Sequence, residues 1–347
     1  MSLASALRTR DLADLPSRRD EDWRWTDLRG LIRALPPGSP LLTDIPANSA
    51  LDELKDPRIV WVNGRRLEGG EIAIPPTGRG TFVRRFVSAS DGTAHHLRAP
   101  VEVGQAGRLT LIDSFEGRAS GYVADASCVI RVGEGAVFDR IVFLDDAADA
   151  VSVSLTEVEL LPGAVFRQTV LASGAKRQRF ETRVRHMGGG ARVQLDGVYV
   201  LNDARHSDQT TQVVHEIPHG ATSQLTKGVV QDQARGVFQG RIVVAEGADG
   251  ADARMGHHAL ILSDRAEIDA KPELEIYAYD VACAHGNTVG ALDEDVLFYA
   301  LSRGIPEAEA RALLIGAFLA EVVDRIVHEP ARELARAWLE ARLGMAG

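Results

Sequence analysis

The residues of this chain best suited to sulfur or soft-metal chemistry stand two positions apart: Cys283 and His285, closed by Gly286. A thiolate beside a neutral imidazole can ligate a soft metal or carry sulfur. Upstream, Leu274, Ile276 and Ala278 alternate with Glu273, Glu275 and Tyr277. That period of two predicts a strand. On extended backbone, residues two apart project to one face, so Cys283 and His285 share a face if the strand runs through them. On spacing alone, the commoner use of such a pair is a thiol packed as a small hydrophobe beside a hydrogen-bonded histidine. Downstream, Asp293 is an N-cap with acidic residues behind it, which starts a helix.

The whole stretch, KPELEIYAYDVACAHGNTVGALDEDVLFYALSRGI from Lys271 to Ile305, resembles the C-terminal signature of the SufB/SufD family. Those proteins are the paired scaffolds of the Suf iron–sulfur assembly system. The family pattern runs K-P-x-L-E-I-x-A-D-D-V-x-C-x-H-G-x-T-V-G-x-L-D-E, and Tyr279 stands where an acidic residue is more usual. DEDWRWTDLR near the N-terminus and RGVFQGRIVV at Arg235 to Val244 are similar to two further family elements. The resemblance implies a mainly β protein with a right-handed parallel β-helix core and no catalytic turnover of its own. It also implies a SufB-like paralogue or a second copy of the chain as partner, and a SufC-like ATPase docked on the C-terminal helices. Cys283 and His285 then become candidate transient ligands of an iron–sulfur cluster shared with the partner subunit. Two cysteines, Cys128 and Cys283, point to the SufD branch, because SufB typically carries more.

The elements that position the pair can be read in chain order. Residues 1–79 read as helical and irregular. Ser2 caps one helix, and Asp20 is expected to cap another running through EDWRWTDLRGLIRAL until Pro36. Trp23 and Trp25 fit packing better than a binding platform. Arg58 to Val62 reads as a strand entering an Asn63-Gly64 turn. Over 80–288 helical periodicity disappears, and short β-branched runs recur between Gly, Asp and Asn. Glycine marks a near-constant period at Gly107, Gly135, Gly163, Gly190 and Gly220, with gaps of 28, 28, 27 and 30 by subtraction. Such a period signals a solenoid whose units cannot bury their apolar face alone. Strand-only units make that solenoid a parallel β-helix. The glycines of RGVFQGRIVV are expected in tight turns between coils. The ends of such a solenoid expose unpaired strand edges, so the helical flanks or a second subunit are expected to cover them.

Residues 289–347 become helical again. The run Leu313 to Ala320 is apolar on all sides, which predicts burial on more than one face. Leu334, Trp338, Leu339 and Leu343 make one face of a last helix ending before Gly344. Cys128 sits in a strand-like run and reads as core. His206, His215 and His219 have no standard metal spacing, and the pairs His95-His96 and His257-His258 send neighbours to opposite strand faces.

Composition bounds the rest. The 347 residues are 45% hydrophobic and 25% charged, with formal charge −10. An acidic chain argues against nucleic acid or an anionic membrane as main partner. Two cysteines make no disulfide framework, the N-terminus has no signal-like apolar run, and no stretch nears the roughly 20 apolar residues of a span; a cytoplasmic protein is expected. A P-loop, a dinucleotide fingerprint, a nucleophile elbow and a zinc motif are missing, so no nucleotide is expected on this chain. Two other functions fit a β-helix: a polysaccharide-active enzyme, which would need paired carboxylates in a groove, and a purely structural dimerising solenoid with Cys283 inert.

Overall fold

The computed structural model describes residues 1–47 and 49–344. Its strands alternate between two parallel sheets. The first sheet runs Arg79–Ser88, Arg108–Gly117, Val137–Asp145, Val165–Ala172, Arg192–Leu201, Ala221–Val230, Asp252–Ile261 and Ala282–Gly290, each hydrogen-bonded to the next. The second contains Val123–Val132, Val151–Leu160, Arg177–His186, His206–His215, Arg235–Val244 and Glu267–Ile276. One strand from each sheet makes one coil, so the chain winds as a flattened parallel β-helix, as the period predicts. Parallel pairing begins at Arg58–Val62, and Asn63 and Gly64 both take positive φ (50° and 77°) in the hairpin that follows.

Inward residues fill the space between the sheets. Leu109, Phe138, Phe166, Val193 and Ala253 stack in one register column and are buried. Cys128 is also inward and buried, its thiol donating to the Ala99 carbonyl at 2.9 Å, as expected of a core residue.

The true repeat marker is a left-handed turn residue two positions before each of these first-sheet strands except the last: Thr77, Ala106, Gly135, Gly163, Gly190, His219 and Gly250. Gly135, Gly163 and Gly190 occupy it. At Gly107 and Gly220 the glycine lies one residue beyond, so glycine alone slips the register there. Gly236 and Gly240 lie inside the strand Arg235–Val244 and not in turns. They face inward and leave room: a Cβ on Gly236 would lie 2.7 Å from the Tyr199 ring, and one on Gly240 would lie 2.1 Å from the Met255 sulfur.

The flanks cover sides, not ends. The N-terminal helix Leu3–Thr9 and the segment after it pack Leu3, Leu15, Leu28 and Ile32 on Val123, Val151 and Val153 of the second sheet. The expected helix through residues 21–35 is absent. Only Glu21–Trp23 makes a turn of 3-10 helix, because the segment is tied down sideways: the Arg179 guanidinium lies 4.4 Å over Trp23 and donates to the Asp22 carbonyl. The helices Glu294–Ser302, Glu307–Val323 and Glu329–Leu343 cover the first sheet, with Ile315, Leu319, Val323 and Trp338 against Ile141, Phe143, Leu171 and Val198. Arg325 meets Asp196 at 2.9 Å, Lys227 pairs with Glu321, and Trp338 donates to Asp145. Gly344 ends the last helix in the left-handed conformation. No helix of the described residues is long and apolar enough to cross a membrane.

Candidate functional site: the open end of the β-helix

With both flanks spent on the sides, no described residue forms a lid on the last coil. Glu267–Ile276 and Ala282–Gly290 each pair on one side only. Register shows which way their side chains point. Cys283 aligns with Ala253, His285 with Met255, Asn287 with His257 and Val289 with Ala259. All four upstream partners are buried inward residues. Cys283, His285, Asn287 and Val289 therefore occupy the same inward columns, but the coil that would seal them is missing. Cys283 is half-buried against the core, and the other three are exposed. Cys283 and His285 share a face as expected, about 7 Å apart along the strand. Across the lumen, Ile268 and Leu274 are half-buried and Ile276 is exposed.

Exposed large hydrophobics gather here. Ile276, Tyr277, Tyr279, Val289, Val296, Phe298, Tyr299 and Leu301 are eight of the fifteen in the described chain, all within 26 residues by subtraction. Tyr279 is 98% exposed and Phe298 71%, which no packing need of the lone chain explains. Exposed apolar side chains concentrated in one stretch of chain mark a candidate interface.

Burial pushes the Cys283 thiol up, and Asp252 adds to this, against a hydrogen bond from the Ala253 backbone. A nearby metal or cation would act against that and favour the thiolate. Among the described residues no group of three or more His, Cys, Asp or Glu is placed to hold a metal ion. His206, His215 and His219 do not converge: His206 hydrogen-bonds the Trp25 carbonyl, and His215 stacks on His186 and meets Thr222. His257 points inward and His258 outward to Thr288, as alternation requires.

Sequence reasoning passed over Asn287 and named His257 only as one of a pair facing opposite ways. The signal was present, since Asn287 continues the Cys283, His285 alternation by one more step.

Fold and site define a class: a parallel β-helix whose uncovered end presents a thiol and an imidazole. Residues 86–318 match the family model described as SUF system FeS cluster assembly, SufBD core domain. An iron–sulfur cluster assembly SufBD family protein of Mycobacterium bovis is 30% identical over 96% of this chain and 90% of its own length. The iron–sulfur cluster assembly protein SufD of Escherichia coli K12 is 29% identical over 95% of this chain and 89% of its own. A SufBD family protein of Synechocystis is 33% identical over 57% of the chain, which spans 44% of that longer protein. The chain belongs to the SufBD family of iron–sulfur cluster assembly proteins, with similarity to SufD.

Proposed function

We propose that this chain is a SufD-like cytoplasmic scaffold subunit, without turnover of its own, that completes its open end with a SufB-like subunit. The last strand carries an unpaired backbone edge, and a second solenoid end would seal the lumen and supply further ligands. Cys283 and His285 would form part of a ligand set for a nascent cluster, which usually takes four thiolate or imidazole ligands. A partial set on each subunit suits a scaffold that must release its cargo. Phe298, Tyr299 and Leu313, exposed on the C-terminal helices, would receive a SufC-like ATPase, whose dimerisation would pull on the helices seated against the first sheet.

The observation that carries this reading is the register of the last coil: a thiol and an imidazole in lumen-facing columns that nothing among the described residues covers. Co-expression with SufB-like and SufC-like partners tests it. Stable co-purification is expected, with loss of iron and sulfide loading in Cys283→Ala and His285→Ala. A chain that stays alone, or full loading in both variants, would remove the pairing or the ligand role respectively.

A further inference from the structure

A hydrogen-bonded chain runs through the lumen to its open end. Tyr199 and His257 are both fully buried. The Tyr199 hydroxyl lies 2.9 Å from His257 Nε2, and His257 Nδ1 lies 2.7 Å from Asn287 Oδ1. A carboxamide oxygen only accepts, so His257 carries its proton on Nδ1 and donates it to Asn287. Nε2 is then the acceptor, and the tyrosine hydroxyl donates to it. All the bonds point one way, from the interior toward the mouth.

The surrounding sequence makes room for this. Tyr199 reaches His257 by crossing the intervening coil over Gly228, where a Cβ would sit 1.8 Å from the ring, and past Gly236. Phe238 stacks flat on the imidazole, centroids 4.6 Å apart and planes 4° apart, so the ring cannot turn. Burying a hydroxyl and an imidazole is costly unless each is satisfied, and an all-aliphatic column would fill the same space. The polar chain ends on an exposed residue two positions from His285, in the adjacent inward column.

We propose that Asn287 is a third polar member of the mouth, its oxygen pinned by His257 and Tyr199 so that its N–H2 is presented beside Cys283 and His285 to hydrogen-bond anionic sulfur held there. This rests on the proposed ligand role of that pair. Hydrogen bonds to sulfur stabilise the negative charge of a cluster's ligand shell and tune its potential. Asn287 is the donor, while His257 and Tyr199 are positioning residues.

Two readouts test this. In the apo chain, 15N NMR of the histidines is expected to show His257 as the Nδ1–H tautomer, with Asn287→Ala altering that signal. An Nε2–H tautomer in the wild type would overturn the proposal. In the complex with SufB-like and SufC-like partners, loaded anaerobically with ferrous iron and sulfide, Asn287→Ala is expected to load but to lose iron to a chelator about five-fold faster, the size of one hydrogen bond. Asn287→Asp, which cannot donate, should lose it faster still. His257→Phe tests the positioning; if it does not fold, Tyr199→Phe breaks the same chain more gently and is expected to shift lability in the same direction. Wild-type lability in both Asn287 variants, while Cys283→Ala abolishes loading, would overturn the donor role and leave the ligand pair standing. Full loading in Cys283→Ala would instead remove the pair on which the donor role depends.

Discussion

The middle of the solenoid and its last coil obey one geometry and have opposite fates. In the middle, inward charged groups are sealed and paired. Asp113 is fully buried and accepts from Nε and Nη2 of Arg84, each at 2.7 Å, and from Arg140 at 2.7 and 2.8 Å. Burial pushes that carboxyl up, but the two arginines outweigh it and hold it below its usual range. In the last coil, Cys283, His285 and Asn287 face the same way and meet open space. Exposure there reflects the end of the coil stack and not a change of pattern. An inward column that stops on such side chains is what the proposed partner subunit would finish.

Breaking the sealed half should have the largest effect. Asp113→Ala would leave two buried arginines without a counter-charge, at a cost of about 4 kcal/mol or more. Denaturant unfolding reads this out, and a loss under 1 kcal/mol would show the network to be solvated. Acid comes next. Burial depresses His95, His206, His215 and His257 to about 4 and His186 to about 3, against 6.5 when unfolded. Their stabilisation is complete above pH 6.5 and is lost as pH falls toward 4. Burial raises Asp146, and raises Asp196 to about 6 despite Arg325; these two take up protons in the folded state and oppose the histidines. Five histidines outweigh the two opposing carboxyls, so stability falls as pH drops from 6.5 toward 4. Unfolding free energies that stay flat between pH 7 and 5 would contradict this.

The open half should respond in the reverse way. Val289→Glu is expected to leave the free chain within about 0.5 kcal/mol of wild type, and to weaken partner binding about thirty-fold, as loss of an interface anchor does. Unchanged pull-down of the SufB-like subunit would place the interface elsewhere. The smallest effect belongs to the turns. Thr77 is β-branched and held at φ 58°. Thr77→Gly should relieve about 1 kcal/mol of strain, less the greater entropy of glycine in the unfolded chain. A drop in melting temperature would show that its hydroxyl bond to the Pro76 carbonyl matters more.

Strand content, the coil period and the shared face of Cys283 and His285 were legible because period-2 alternation and turn chemistry are local. The placement of the flanks was not. The apolar run Leu313 to Ala320 and the apolar face of Leu334, Trp338, Leu339 and Leu343 say that apolar surface must be covered, not what covers it, and these helices settle on the outer face of the first sheet. The helix expected over 21–35 lost to long-range ties from Arg179. Gly236 and Gly240 read as turn residues, yet they clear space for Tyr199 and Met255 from other coils. Asn287 went unnoticed for the same reason: its partner His257 is 30 residues away in sequence and one strand away in space.

Hydrogen exchange at the amides of Ala282–Gly290 tests most directly that the last coil is left open for a partner. Half of that strand's backbone groups bond to Asp252–Ile261 and half have no strand beside them. The account predicts rapid exchange along this edge in the isolated chain and strong protection once the SufB-like subunit is added, with the middle coils unchanged. Equal exchange at 282–290 with and without the partner would contradict it.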